Sequence, residues 1–280
     1  MRLFREAAAN GDLQLIKTLH DQMKRGEKGL WWDDLVCKHA ASNGHLDCLK
    51  YLHENGCQWY EDTCSHAALN GHLDCLKYAH EQGCSWNEDT CAFAARNGHL
   101  ECLKYAYEQE CPWDEWTCAN AALNGHLDCL TYAHNKGCQW EVWTCSLAAE
   151  CCHLNCLTYA RENGCPWDQK TCIERAAKCA FKHSNLTCFQ YLHEEYAKQH
   201  DFQSFWNLDY DLSYIEDQID LDNPYWRKSL FNIDLSSYPA LQERINCKKK
   251  EIKKTKKKCA AGLKGMITND VIQHCLFPFF

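Results

Sequence analysis

Cysteine is the residue type in this chain best equipped for chemistry, contributing 23 of the 280 residues. At that density thiols serve as disulfide partners, as soft metal ligands, or as small apolar side chains inside a core. Spacing separates these uses. Sixteen of the 23 cysteines fall into three series with one step of 27 residues. The first is Cys37, Cys64, Cys91, Cys118, Cys145, Cys172; the second Cys48, Cys75, Cys102, Cys129, Cys156; the third Cys57, Cys84, Cys111, Cys138, Cys165. Histidine follows the same step through His45, His72, His99, His126 and His153. One period therefore holds Cys64, His72, Cys75 and Cys84, which gives a single H-x-x-C and none of the paired C-x₂₋₄-C of chelating loops. The pattern predicts core cysteines, with zinc as the weaker alternative, and assigns no metal site and no cofactor. Five equivalent histidines likewise suit a repeated structural bond to a neighbouring turn better than acid–base catalysis, which uses one unequal constellation. The start, Met1-Arg2-Leu3-Phe4-Arg5-Glu6, lacks an apolar stretch and cleavage site, so the thiols are expected to be reduced.

The elements that carry these residues follow from the same period. Trp32, Trp59, Trp86, Trp113, Trp140 and Trp167 mark it, and the unit reads T-C-x-x-A-A-x-N-G-H-L-x-C-L-K-Y-A-x-E-x-G-C-x-W. Thr63 to Leu69 carries Ala67-Ala68, small enough for close helix approach, and Asn70-Gly71 is a turn signal. Leu73, Leu76 and Ala79 recur at helical spacing on a second segment that Gly83 closes. Neither helix reaches the roughly 12–15 residues at which isolated helices become marginal in water, so a unit buries its apolar face only by stacking on its neighbours. The prediction is an all-α, helix-turn-helix repeat solenoid.

The string Ala67-Ala68-Leu69-Asn70-Gly71-His72-Leu73-Asp74-Cys75-Leu76-Lys77 resembles the A-A-x-x-G-H-x-x-x-V segment of the ankyrin repeat, and Gly83-Cys84-Ser85-Trp86-Asn87 its G-A-D-V-N turn. Ankyrin units run to about 33 residues; here the deficit lies between Trp86 and Ala94, where the family carries a projecting β-hairpin. Ala8-Ala9-Asn10-Gly11 precedes Ala41-Ser42-Asn43-Gly44 by a full 33 residues. The resemblance covers about residues 4–198 and implies a protein-binding scaffold. Shortened arrays of this type are familiar from large DNA viruses and protists, which implies a host-interaction role. Trp86 and its equivalents stand where the ankyrin turn has valine, and are expected to fill the space the missing hairpin leaves.

Positions that vary between copies are the candidates for binding. The residue before Ala-Ala runs His66, Phe93, Asn120, Leu147, Glu174, and Trp116 and Trp143 are aromatics extra to the repeat, one unit apart. By the resemblance these line the concave side and its rim. Aromatic residues anchor interfaces, so His66, Phe93, Asn120, Leu147, Trp116 and Trp143 form the candidate partner surface, with local packing as the alternative. Two departures mark expected weak points: Glu110 replaces the glycine closing a second helix, and Cys151-Cys152 replaces an Asn-Gly turn. Leu186 to Tyr191 arrives five residues late, so a lengthened turn is expected within Lys178 to Asn185.

Beyond residue 198 the period stops. Residues 199–246 are acidic and aromatic, and read as a cap or linker. Within 247–280, Lys248 to Lys258 holds eight lysines and one acid; without this run the net charge of −8 becomes −15. Such a run serves as a nuclear-import signal, a nucleic-acid patch, or a solvated helix. The acidic body opposes the second of these. Asp270-Val271-Ile272 and Leu276 resemble the apolar stripe of an F-box, lacking its leucine-proline start; an amphipathic helix closing on the body is the alternative. With no nucleophile elbow, phosphate loop, HExxH or membrane-length apolar run, the sequence predicts a monomeric, cytoplasmic, non-catalytic module with a protein partner. Small-molecule, nucleic-acid and membrane ligands are not expected.

Overall fold

The computed structural model describes residues 2–27, 31–60, 62–183, 187–189, 191, 192 and 195. The chain divides into two compact units, Met1–Ala176 and Ala177–Phe280. Among the described residues there are helices and no strands. The first unit holds α1 (Arg2–Asn10), α2 (Leu13–Lys24), α3 (Asp34–Ser42), α4 (Leu46–Glu54), α5 (Asp62–Leu69), α6 (Leu73–Glu81), α7 (Glu88–Arg96), α8 (Leu100–Glu108), α9 (Glu115–Asn124), α10 (Leu127–Asn135), α11 (Val142–Glu150) and α12 (Leu154–Glu162). A longer helix, α13 (Gln169–His183), begins in the first unit.

Each odd helix of the first unit pairs with the even helix that follows it, and both kinds stack on their own type in the next repeat, which makes two layers. The odd layer owes its close stacking to small side chains: Ala67, Ala68, Ala94, Ala95, Ala121, Ala122, Ala148 and Ala149 are fully buried. Leu49, Leu76, Leu103, Leu130 and Leu157 fill the interior of the even layer, also without exposure. All sixteen periodic cysteines are buried, as a core reading requires.

The turns explain the glycines. After α5 the Gly71 N–H bonds the Ala68 carbonyl at 3.2 Å and the His72 N–H reaches the Ala67 carbonyl at 2.9 Å, the reciprocal pattern of a left-handed helix stop. Gly71 has φ 75°. A methyl there would also lie 2.5 Å from His99 Nδ1 of the next repeat, so the histidine ring roofs the glycine directly. Gly11, Gly44, Gly98 and Gly125 are roofed in the same way by His45, His72, His126 and His153. His45 Nε2 completes the arrangement at 3.1 Å from the Ala9 carbonyl, and His72, His99 and His153 bond the backbone at Ser42, Leu69 and Leu123. The expected structural bond to a neighbouring turn is present. Glu110 and Cys152 keep the glycine geometry, at φ 61° and 59°.

Two expectations require correction. The lengthened turn expected within Lys178 to Asn185 does not begin at Lys178: α13 continues as helix to His183, since no glycine or proline interrupts residues 169–183, and residues 184–185 lie outside the described residues. The tryptophans were expected to fill space, yet Trp59, Trp86, Trp113 and Trp140 are only half-buried. Each lies flat on a side chain of the helix before it: Trp59 on His53, Trp86 on His80, Trp113 on Tyr107, Trp140 on His134. The shortened connection passes straight from this ring into the next odd helix. No helix among the described residues is long and apolar enough to cross a membrane.

Candidate partner-binding surface

The candidate surface lies on the odd helices, where sequence varies while the fold does not. The first turns of α9 and α11 are fixed by side-chain caps. At α9 the Asp114 carboxylate accepts from the Trp116 N–H at 3.0 Å, and at α11 Glu141 and Thr144 form a reciprocal capping box. These caps hold Trp116 and Trp143 at matching places one repeat apart. Their rings stack with centroids 6.1 Å apart and 23° between planes.

Trp116 remains 51% exposed, and Val142 beside Trp143 is exposed as well. Asn120 and Leu147 lie four residues on from Trp116 and Trp143, on the same helix faces, and are half-buried. His66 and Phe93 extend the row toward the start of the chain, meeting edge to face at 6.5 Å, with His66 Nδ1 2.9 Å from the Asp62 carbonyl. The six sequence-derived residues therefore form two groups: an aromatic pair at the first turns of α9 and α11, and a half-buried row across α5, α7, α9 and α11.

Charge divides the same surface. Toward the start, Arg5 pairs with Asp33, and Lys38 Nζ lies 2.9 Å from Asp62. Around Trp116 the charges are acidic: Glu88, Asp89, Asp114 and Glu115. Their field is legible in Asp114, whose carboxyl is held above its ordinary range by burial and by the negative charges of Glu115, Glu88 and Asp89, against the opposing Trp116 hydrogen bond. The Trp143 indole N–H is out of reach of solvent and has no acceptor, which costs about 1–3 kcal/mol where it stands.

Among the described residues no three His, Cys, Asp or Glu side chains come together as a metal-ligand set. The residues of the Lys248–Lys258 run and of the F-box-like stripe, Asp270, Val271, Ile272 and Leu276, lie outside the described residues.

Sequence reasoning missed a second ladder on the even helices. Tyr51, Tyr78, Tyr105 and Tyr159 place their hydroxyls 2.9–3.1 Å from Nδ1 of His20, His53, His80 and His134 in the preceding repeat. Lys17, Lys50 and Lys77 lie over the rings of Tyr51, Tyr78 and Tyr105. The signal was present as a further 27-residue series, His53, His80, Tyr107, His134, Arg161, masked by its two substitutions. At its end Arg161 takes the place of histidine, its guanidinium 3.9 Å from the Trp167 ring centroid.

The ankyrin-repeat family model matches residues 4–90 and 65–142. The fold is similar to the crystal structure of the human ASB11 ankyrin repeat domain at a TM-score of 0.51 and 19% identity, covering 68% of this chain and 95% of that one. No curated protein sequence matches. The roofed glycine turns, the two-layer stack and the matched segment agree, and the repeats of residues 4–142 belong to the ankyrin-repeat family.

Proposed function

We propose that the array is a non-catalytic scaffold that holds a protein partner against the first turns of α9 and α11, with Trp116 and Trp143 as anchors and the row His66, Phe93, Asn120 and Leu147 alongside. The observation that supports this is the stacked Trp116–Trp143 pair, with Trp116 exposed and acids around it, on helices whose first turns are capped. Aromatic side chains on a fixed frame give contact area at little entropic cost. A partner presenting basic and apolar side chains suits this face. The shortened repeat resembles those of large DNA viruses and protists, and a host-interaction role in the cytoplasm, or in the nucleus by way of Lys248–Lys258, belongs to the same reading.

The test is affinity capture with the full chain, with Trp116→Ala, and with Leu15→Ala as an exposed control on α2. A partner held by the first and third but lost with the second supports the surface. Equal recovery by all three moves the interface elsewhere.

A second reading makes the chain a substrate adaptor of a ubiquitin ligase through Asp270, Val271, Ile272 and Leu276. It rests on the sequence pattern of those residues, and on a repeat array that would supply the substrate-binding half. Recovery of the ligase adaptor by the full chain, lost on removing residues 267–280, supports it; no recovery at micromolar concentrations removes it.

A further inference from the structure

The first and third cysteine series meet inside each repeat. Cys64, in the first turn of α5, lies against Cys84, in the turn that follows α6. The Cys84 thiol also lies 3.5 Å from the Tyr60 carbonyl, and the Cys64 thiol 3.9 Å from the Cys84 carbonyl. The same pairing recurs as Cys37 with Cys57, Cys91 with Cys111, Cys118 with Cys138 and Cys145 with Cys165. The carbonyl bond recurs with it, from Cys57 to Asp33, Cys111 to Asn87, Cys138 to Asp114 and Cys165 to Glu141. Cysteines of the second series, on the even helices, enter no such pair.

In the Cys64–Cys84 and Cys145–Cys165 pairs the two sulfurs are chemically unequal. Cys84 sits against the N-terminal turn of α5, where the Cys64 N–H is one of the helix's unbonded donors and the Thr63 hydroxyl points at the sulfur. Donation from the Cys64 thiol, with those two groups, pulls Cys84 below an ordinary thiol, and Cys165 is lowered in the same way by Cys145, with help from Thr144 and Arg161. The first cysteines are pushed up, since they donate to that partner and are buried. Thr90 and Thr117, the equivalents of Thr63, are fully buried and their hydroxyls have no partner, so two further repeats hold an unused donor at this place. Exposure follows the same asymmetry: the first cysteines are wholly covered, while the third series retains 1–5%.

We infer that each pair is an oxidation site, in which a peroxide attacks the second cysteine and the first then closes a disulfide within the repeat. The Cys84 thiolate takes the terminal oxygen of the peroxide as the O–O bond breaks, giving a sulfenic acid and, with one proton, water. The Cys64 sulfur then attacks the Cys84 sulfur; the sulfenic oxygen leaves with its hydrogen and the Cys64 proton as a second water. The two sulfurs together lose two electrons, and the peroxide accepts them. The product is neutral and apolar, as the core demands, and ties the start of each odd helix to the turn 20 residues later.

The test treats the reduced full chain with hydrogen peroxide, unfolds it in an alkylating agent, and maps disulfides by mass spectrometry of the digest. Expected are linked peptides joining Cys37 to Cys57, Cys64 to Cys84, Cys91 to Cys111, Cys118 to Cys138 and Cys145 to Cys165, with Cys75, Cys102 and Cys129 alkylated. Links among the second series, or oxidation confined to the exposed Cys151, would overturn the proposal. Cys64→Ser separates the steps: Cys84 should accumulate as a sulfenic acid trapped by dimedone, with that one link lost and the others intact. No dimedone adduct at Cys84, while other pairs still close, removes the assigned order of attack. The mapping on the unaltered chain stands whether or not the variant folds.

Discussion

The indole of Trp86 lies flat on the imidazole of His80, with ring centroids 3.6 Å apart and 12° between the planes. The contact sits at the mouth of the shortened connection, so the ring that marks the period acts as a clip between the end of α6 and the entry to α7. A half-buried stacked pair has less to lose than a core ring. Trp86→Ala should cost on the order of 2 kcal/mol, below the roughly 3–5 kcal/mol of a fully buried aromatic. The midpoint of urea unfolding checks this, and a loss at the upper figure would mean that the ring supports the core directly.

Gly98 and Gly83 are both left-handed, at φ 74° and 82°, but only the first is roofed. A methyl on Gly98 would lie 2.5 Å from His126 Nδ1, whereas one on Gly83 would meet nothing within 4 Å. Gly83→Ala should therefore cost about 1 kcal/mol, the backbone penalty alone. Gly98→Ala should cost more than about 2 kcal/mol, because the ring and its backbone bond must also move. Adding His126→Ala should recover part of the loss in a double-mutant cycle; strict additivity would contradict the roof.

Tyr105 and Tyr132 occupy equivalent places with opposite hydrogen bonding. The Tyr105 hydroxyl has His80 Nδ1 at 3.1 Å, while the Tyr132 hydroxyl is buried with no partner, since Tyr107 stands where other repeats have histidine. Tyr105→Phe should lose about 1 kcal/mol, and Tyr132→Phe should be neutral or mildly stabilising. Thermal unfolding of the two variants side by side decides it, and equal losses would refute the assignment.

Burial holds His20, His39, His72, His80, His99, His134 and His153 below the ordinary value of 6.5. A histidine depressed in the folded state binds its proton more readily once unfolded. Its contribution is complete above about pH 6.5 and is lost as pH falls through that value toward the folded one. The urea midpoint should thus decline from about pH 7 to about pH 5, before most carboxylates titrate. A midpoint that is flat or rises over that interval would show that these rings are not kept neutral.

Much of this was legible because the chain repeats itself. Ala67-Ala68, Leu76 and Gly71 declare their places through recurrence, and a local helix stop needs only nearby residues. What stayed hidden involves residues brought together from a distance. Cys64 and Cys84 belong to separate series in the sequence, and only the return of the chain after α6 sets their thiols side by side. The His80–Tyr105 bond runs from one repeat to the next, and Tyr107 breaks the series that would have revealed it. Among the candidate surface residues, the Trp116–Trp143 stack follows from a spacing of one unit; the acidic field around it depends on how Glu88, Asp89 and Glu115 converge on Asp114.

The roofed glycine imposes a grammar on the order of repeats. A unit that opens its second helix with histidine can follow only a unit that ends its first helix with glycine, as His126 follows Gly98 and His153 follows Gly125. Cys152 breaks that condition, and one period after His153, residue 180 is alanine within α13. The exception and the missing histidine occur together. From Gly44 to Gly125 each unit therefore offers the next the same joint, whereas the unit containing Cys152 offers no glycine for a following histidine to cover.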